Sequence, residues 1–288
     1  MKSLRKTALY GAILGNIIGV PFEFDRNKPT SRESFPLFCK DSHFSDDTVT
    51  TIAIADAFWE FEHTPEPTQP DQLLYNLLKD KLQYWCRKYP YAGYGLGFYR
   101  WAFQDPKPYG SYGNGAAMRV SAAGWFCDKI KSVRKCAKLT AVITHNHPEG
   151  IKGAEATASA IFLARAGLDK VYIKHYIESE FGYDLHRTID EIRPNYCHTE
   201  KIWETVPEAI IAFLESHDFE STIRNIIWLG GDVDTLGAIA GSIAEAYYGI
   251  PDNLIQECCD RLPLEMRTVV DKFNISIVND YKRRDDLC

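Results

Sequence analysis

Apolar residues recur along most of the chain at the three- and four-residue spacing typical of amphipathic helices, whereas strict apolar–polar alternation is scarce. The pattern predicts eleven helices, at about 3–19, 47–62, 70–88, 115–128, 131–143, 149–167, 169–180, 201–215, 219–228, 234–248 and 263–278. No low-complexity run or long charged stretch marks a linker. We therefore expect an all-α fold, with residues 1–288 forming one compact domain.

Glycines interrupt two of these helices at four-residue spacing. Gly11, Gly15 and Gly19 lie in the first helix, and Gly237 and Gly241 lie near the end of the chain. Each glycine lowers helix stability by about 1 kcal/mol relative to alanine. The pattern therefore predicts that another backbone packs closely against each of these helices.

Composition restricts the functional classes. With 25% charged residues and a net charge of -6, the chain is typical of a globular protein, and no specific nucleic-acid binding is expected. The eight cysteines include no CxxC pair, which favours free thiols and a cytoplasmic protein. The stretch "MKSLRKTALYGAILGNIIGV" imitates a secretory signal, but Asn16 interrupts it and no small-residue cleavage site follows, so neither secretion nor membrane insertion is expected.

Two polar breaks between the predicted helices are candidates for function. Residues 27–47 contain Pro29 and Pro36, and residues 105–115 are rich in glycine and proline. Residues 181–200 form a weaker candidate. Long ordered loops in a compact domain often carry binding residues, so we expect substrate contacts there.

The motif "SDDT", Ser45 to Thr48, comes directly before an apolar helical run. By itself it is best explained as a helix N-cap, in which Ser45 or an aspartate binds free backbone N–H groups. A cap requires one acid, however, and Asp46 and Asp47 provide two. The second carboxylate needs another explanation.

The motif "GGDVDT", Gly230 to Thr235, repeats this arrangement far along the chain, with Asp232 and Asp234 before another helix. Four carboxylates and nearby hydroxyls form a hard oxygen set that suits Mg²⁺ or Mn²⁺ better than zinc. A cation would also offset the repulsion between the acids. "DVDT" is also similar to the aspartyl-phosphate motif of haloacid-dehalogenase-type phosphatases, but its threonine comes one place early and no strand precedes it.

Three further features are ambiguous on their residues alone. Glu23 ends the first apolar helix and could be a site residue or a surface acid, and its position alone favours a surface acid. Gly113 and Gly115 precede a helix, which suits either anion binding or an ordinary loop. His145 and His147, in "THNHPEG", make a poor zinc site, and turn formation before Pro148 accounts for much of this motif.

Taken in order, these segments resemble the ADP-ribosylglycohydrolase family, which includes the dinitrogenase-reductase-activating glycohydrolases and the ADP-ribosyl-acceptor hydrolases. The matching segments are "GAILGNIIGVPFE", "SDDT", "GNGAAMR", "THNHPEGIKGAEATA" and "GGDVDTLGAIAGSIAEAYYG". One position departs from the family pattern, because Asn16 stands where members commonly carry aspartate. Asparagine can replace its hydrogen bonds but not its charge.

The resemblance implies an all-α fold with two divalent metal ions, Mg²⁺ or Mn²⁺. The implied metal ligands are Ser45, Asp46, Asp47, Asp232, Asp234 and Thr235; the implied substrate-binding residues are Gly113, Asn114, Gly115, Met118 and His145.

The implied reaction is hydrolysis of the glycosidic bond between ADP-ribose and a modified protein or small-molecule acceptor, with an arginine-linked acceptor favoured. Glu23 and Asp47 are the candidate general bases. We expect a monomer with no membrane partner. The alternative function is that of a non-catalytic ADP-ribose-binding or structural member of the same fold, which Asn16 would favour.

Overall fold

The computed structural model describes residues 7–33, 35–65 and 67–285, with the backbone alone for 278–285. Within these ranges the protein is helical and no strand forms; a single antiparallel bridge joins Gly113 to Lys201. The prediction of an all-α fold is confirmed. Among the described residues, no helix is both long and apolar enough to cross a membrane.

Fifteen α-helices are described. They are α1 Tyr10–Gly19, α2 Asp46–Glu62, α3 Pro70–Lys88, α4 Leu96–Phe103, α5 Gly115–Met118, α6 Ser121–Phe126, α7 Ile130–Val142, α8 Pro148–Arg165, α9 Lys170–Phe181, α10 Ile189–Ile192, α11 Ile202–Leu214, α12 Phe219–Leu229, α13 Val233–Tyr248, α14 Asp252–Arg261 and α15 Leu264–Asp285. Two 3₁₀ turns, Val20–Asp25 and Arg193–Asn195, follow α1 and α10.

The predicted segments differ from these helices in length, in continuity and in number. The predicted first helix is too long, because residues 7–9 are not helical; residues 3–6 lie outside the described residues. The predicted helix 115–128 is two short helices, α5 and α6, separated by Arg119 and Val120. The pattern also missed α4, α10 and α14.

Helix α13 forms the centre of the fold. Every residue from Val233 to Ala246 is buried, and α1 is buried along its whole length. The two helices touch through their backbones: a Cβ atom on Gly15 would lie 1.9 Å from the carbonyl oxygen of Gly237. The close approach predicted from the glycine spacing is therefore present. It places the N-terminus of α13 beside the C-terminal half of α1.

Candidate active site

A cleft opens where α2, α5 and α13 begin. It is lined by eleven of the residues singled out from the sequence, namely Glu23, Asp46, Asp47, Gly113, Asn114, Gly115, Met118, His145, Asp232, Asp234 and Thr235. The twelfth, Ser45, contacts two of these acids. Segments that are distant in sequence thus meet in one cleft. If the acids were only N-caps of separate helices, they would not need to lie close together.

The interpretation of "SDDT" and "GGDVDT" as helix caps is wrong. Ser45 and Asp232 occupy the N-cap positions of α2 and α13, yet neither side chain accepts a hydrogen bond from its helix. Instead, the Ser45 hydroxyl lies 3.1 Å from Oδ2 of Asp47 and 3.1 Å from Oδ2 of Asp234, so it can donate to either carboxylate. The polar side chains at both helix starts therefore face the cleft.

The turn before α13 depends on its two glycines. Gly230 and Gly231 have φ values of 87° and 83°, in the region that favours glycine. The N–H of Gly231 donates to Oδ1 of Asp25 at 3.1 Å, and its carbonyl accepts from the N–H of Phe24 at 3.1 Å. These bonds fix the turn against the segment that follows α1.

The same bonds position Glu23. Its backbone leaves the helical region at ψ 149°, and Phe24 follows with φ 56°, a left-handed conformation that is strained for a residue with a side chain. This kink directs the Glu23 carboxylate towards α13. One oxygen from each of Glu23, Asp232 and Asp234 lies within 4.8 Å of the other two.

The proximity of these acids changes how they ionise. Burial, reinforced by the charge of Asp234, raises the pKa of Glu23 and of Asp46 to about 7. The same two causes raise the pKa of Asp47 and of Asp232 well above the ordinary aspartate value. Without a counter-charge, the site therefore resists ionisation of these carboxyls more strongly than solvent does.

The residues present fit a divalent cation. Oδ1 of Asp47 and Oδ1 of Asp234 are buried and have no hydrogen-bond partner among the described residues, which is unfavourable unless another group binds them. The surrounding donors are all carboxylate or hydroxyl oxygens, the ligands that Mg²⁺ and Mn²⁺ prefer. A cation would satisfy these atoms and offset the repulsion between the acids.

Asn114 and Thr235 also line the cleft, near Asp232 and Asp234. Asn114 Nδ2 donates to Oδ2 of Asp232 at 2.6 Å and lies 3.3 Å from Oγ1 of Thr205. The side chain predicted to bind substrate therefore supports an acid. Thr235 Oγ1 lies 3.9 Å from the sulfur of Met118, which joins α13 to α5.

The two histidines differ in position. His145 is 4% exposed and lies against the glycine loop: a Cβ atom on Gly115 would be 3.0 Å from its Nε2. His147 is the N-cap of α8 and accepts from the N–H of Glu149 at 3.1 Å. Only His145 of the pair lines the cleft.

Comparison with known proteins places the chain in a family. The sequence profile of the ADP-ribosylglycohydrolase family matches residues 4–285. The chain belongs to the ADP-ribosylglycohydrolase family. The resemblance found in the sequence motifs is thereby confirmed.

The relatives span nearly the whole chain at low identity. This chain is 27% identical to mouse ADP-ribosylhydrolase ARH3, in an alignment that covers 87% of this chain and 86% of the relative. It is 23% identical to ADP-ribosylarginine hydrolase Tri1 of Pseudomonas putida, covering 85% and 70%. A solved ADP-ribosylglycohydrolase-related protein complex shares the fold, with a TM-score of 0.62 at 22% identity and coverage of 94% and 98%.

Asn16, the departure from the common pattern of the ADP-ribosylglycohydrolases, is fully buried and uses both ends of its amide. Nδ2 donates to Oγ of Ser45 at 2.5 Å and to Oδ2 of Asp234 at 3.3 Å. Oδ1 accepts from the N–H of Ser45 at 2.9 Å and from Oγ1 of Thr48 at 2.7 Å. The asparagine therefore joins the motifs "SDDT" and "GGDVDT" through hydrogen bonds without adding a negative charge.

Four further lining residues fall in the two loops where substrate contacts were expected: Tyr109 and Ser111 in 105–115, and His198 and Glu200 in 181–200. The cleft also includes residues that the sequence did not single out, namely Phe24, Gly93, Gly95, Leu96, Gly97, Phe98 and Arg119. Arg119 ends the motif "GNGAAMR" and could have been found there. The segment Gly93–Phe98 alternates glycine with Tyr94, Leu96 and Phe98, so its glycines could have marked a loop, but it has no charged side chain that would have marked a site.

Proposed function

We propose that this ADP-ribosylglycohydrolase is a metal-dependent enzyme that hydrolyses the glycosidic bond between ADP-ribose and a modified acceptor, releasing ADP-ribose. The observation that carries the proposal is the convergence of five carboxylates on a cleft that also contains the loop Gly113–Gly115. The carboxylates are those of Glu23, Asp46, Asp47, Asp232 and Asp234. Surface acids or helix caps would not require this arrangement.

We assign the metal-binding role to Ser45, Asp46, Asp47, Asp232, Asp234 and Thr235. When bound, two divalent cations would supply positive charge that polarises ribose hydroxyls and makes water more acidic. The protein orients the acids: Asn114 holds Asp232, and Asn16 and Ser45 hold Asp234. Fixed donors of this kind keep the carboxylate oxygens directed into the cleft.

Glu23 is our preferred general base. Its half-buried carboxyl has a pKa of about 7, so it can accept a proton from water near neutral pH. Asp47 is the alternative, but its more deeply buried carboxylate and its unpartnered Oδ1 fit a ligand better. The carboxylates around the anomeric carbon would also stabilise positive charge that develops on the ribose.

We assign the substrate-binding role to Gly113, Gly115, Met118 and His145. They line the same cleft as the acids, at the start of α5, where a phosphate-bearing ligand could approach backbone N–H groups. The side chain of Asn114 is engaged with Asp232, so we assign it to positioning an acid within this loop. Proteins and small molecules that carry ADP-ribose are the partners that this cleft would accept.

We favour arginine as the acceptor. Glu200 lines the cleft outside the acids whose charge the cations would offset, and its carboxylate suits a cationic guanidinium leaving group. Tri1, a relative over 85% of the chain, is named an ADP-ribosylarginine hydrolase. A serine-linked acceptor would lack this charge complementarity.

The test is direct. Purified protein is incubated with Mg²⁺ or Mn²⁺ and either ADP-ribosylarginine or a serine-linked ADP-ribosyl peptide, and released ADP-ribose is measured by chromatography. We expect release that chelation abolishes, with arginine-linked substrate preferred, and loss of turnover in Asp232→Asn and Asp234→Asn. Calorimetric binding of ADP-ribose with no release from either substrate would instead support the non-catalytic function.

A further inference from the structure

Arg119 lies between α5 and α6 and is completely buried. Burial lowers its pKa to about 10, so it remains charged at neutral pH. Its Nη2 donates to Oγ1 of Thr144 at 2.8 Å and to the carbonyl of Thr140 at 3.3 Å. Because a guanidinium has donors only, the Thr144 hydroxyl must be the acceptor in the first of these bonds.

The Thr144 hydroxyl has a second partner, Nδ1 of His145, at 2.6 Å. Nδ1 can either donate to the hydroxyl or accept from it. The hydroxyl carries one proton, and among the described residues this nitrogen is the only acceptor that it contacts. Donation of that proton to Nδ1 therefore satisfies both groups, whereas the opposite direction leaves a buried hydroxyl proton without an acceptor.

We propose that Arg119 and Thr144 are positioning residues that hold His145 as the neutral Nε2–H tautomer and so present a fixed hydrogen-bond donor to an oxygen of ADP-ribose. The tautomer follows from the contacts within the protein, and its use for binding ADP-ribose rests on the proposed function. Arg119 acts through Thr144, and Thr144 acts through His145. The arrangement is a chain of three donors that ends in the cleft.

The position of Nε2 supports this role. A Cβ atom would lie 3.0 Å from Nε2 if placed on Gly115 and 3.6 Å if placed on Gly113. Because glycine has no Cβ atom, Nε2 lies directly beside the backbone of the loop. Burial, followed by the charge of Arg119, keeps the pKa of His145 well below its usual value. The ring is thus a neutral donor suited to a phosphate or hydroxyl oxygen, and it has no free nitrogen lone pair for general-base catalysis.

The tautomer can be measured without substrate. Protein labelled with ¹⁵N-histidine gives long-range ¹H–¹⁵N correlations in which protonated and unprotonated ring nitrogens have distinct shifts, and His145→Gln assigns the signals of this ring. At pH 7 we expect a protonated Nε2 and an unprotonated Nδ1. A protonated Nδ1, or two protonated nitrogens, would overturn the proposal.

Two variants of Thr144 separate the hydroxyl from side-chain shape. Thr144→Val keeps the shape and removes the hydroxyl, whereas Thr144→Ser keeps the hydroxyl. We expect Thr144→Val to change the Nδ1 shift and to raise the Kd for ADP-ribose about tenfold, as the loss of one oriented hydrogen bond implies. Thr144→Ser should restore the wild-type shift and affinity.

The two readouts distinguish this proposal from the proposed function. Wild-type protein that shows the Nε2–H tautomer but does not bind ADP-ribose would contradict the proposed function and leave the positioning chain intact. Thr144→Val protein with wild-type ring shifts would refute the positioning chain even if ADP-ribose still bound. Circular dichroism of both variants checks that they are folded.

Discussion

Asn16 and Asp234 are 218 residues apart in sequence, yet Asn16 Nδ2 donates to Oδ2 of Asp234 at 3.3 Å. The asparagine is the position at which this chain departs from the common family pattern. Its amide contributes donors that an aspartate could not provide. At this position hydrogen bonds connect the acidic cluster without a further charge.

Replacing this donor with an acid should make the protein depend more strongly on metal. Asn16→Asp removes both Nδ2 bonds and places a carboxylate beside Asp234, so we expect the metal-free protein to lose about 1–3 kcal/mol of unfolding free energy. Because a cation offsets that repulsion, added Mn²⁺ should raise the melting temperature of the variant more than that of the wild type.

Asn225→Asp is the matched control. Asn225 is also buried, and its Nδ2 donates to the carbonyl of Ala212 at 3.0 Å, on α11. The substitution should destabilise the protein without increasing its response to Mn²⁺. Equal responses to Mn²⁺ in the two variants would mean that Asn16 has no special relation to the cation.

The raised pKa values of the buried carboxyls lead us to expect an unusual dependence of stability on pH. The pKa of Asp46 is about 7 in the folded state, above its ordinary value of 3.8, and burial raises that of Asp47 in the same direction. Between pH 3.8 and about pH 7 the folded state binds protons that the unfolded state has lost. The free energy of unfolding therefore falls as the pH rises through this range. The metal-free protein should melt at a lower temperature at pH 7.5 than at pH 5.

Asp47→Asn tests the origin of this effect. It removes one of the ionising groups, so the decrease in melting temperature between pH 5 and pH 7.5 should become smaller than in the wild type. Mg²⁺ should also reduce the decrease in the wild type, because a cation favours the ionised carboxylates. An unchanged decrease in the variant would show that other groups are responsible.

Glu23→Gln should reduce turnover by a factor of about 10²–10⁴ if Glu23 is the general base. The base must be unprotonated, so the wild-type rate should increase with pH until Glu23 is ionised. The pKa of Glu23 is about 7 in the structure, and a bound cation would lower it, which places this increase below pH 7. The variant should lose this acidic limb of the rate profile.

Glu200→Gln is the control for that experiment, because Glu200 lines the cleft but lies outside the group formed by Glu23, Asp232 and Asp234. Its effect should be confined to KM. If Glu23→Gln retained the acidic limb, the base would have to be sought elsewhere, with Asp47 the first alternative.

Gly15→Ala should destabilise the protein and, at the same time, displace the acids at the start of α13. The new Cβ atom would lie 1.9 Å from the carbonyl oxygen of Gly237, so α1 and α13 must move apart. Overpacking of this kind destabilises proteins by about 1–3 kcal/mol or more. Gly95→Ala is the control, since no other atom lies within 4 Å of its Cβ position; thermal melts of both variants would decide the point.

The sequence predicted which residues line the cleft better than it predicted the hydrogen bonds between them. Paired acids before apolar helices identified Asp46, Asp47, Asp232 and Asp234 because one carboxylate in each motif was surplus to a cap. The hydrogen bonds from Ser45 to Asp234 and from Asn114 to Asp232 could not be predicted, since tertiary packing brings these partners together. Local propensity contains no information about such long-range partners.

The fold shows the same limit. Helix α14 was missed because its apolar face consists of little more than Leu254 and Cys258, and α4 because its aromatic run shows no clear helical period. The break between α5 and α6 falls at Arg119, which donates a hydrogen bond to Thr144, just after the end of α7. No local pattern in the sequence indicates this contact. Glycine spacing, in contrast, predicted backbone packing because close approach is the usual compensation for glycine in a helix.

The backbone contact between α1 and α13 has a consequence for synthesis. Because a ribosome produces α1 first, Asn16 is made more than two hundred residues before its partner Asp234. The nascent chain cannot assemble the acidic cluster until α13 has emerged and docked against α1. Catalytic competence should therefore arise late and abruptly during translation, and chains stalled before α13 should be inert.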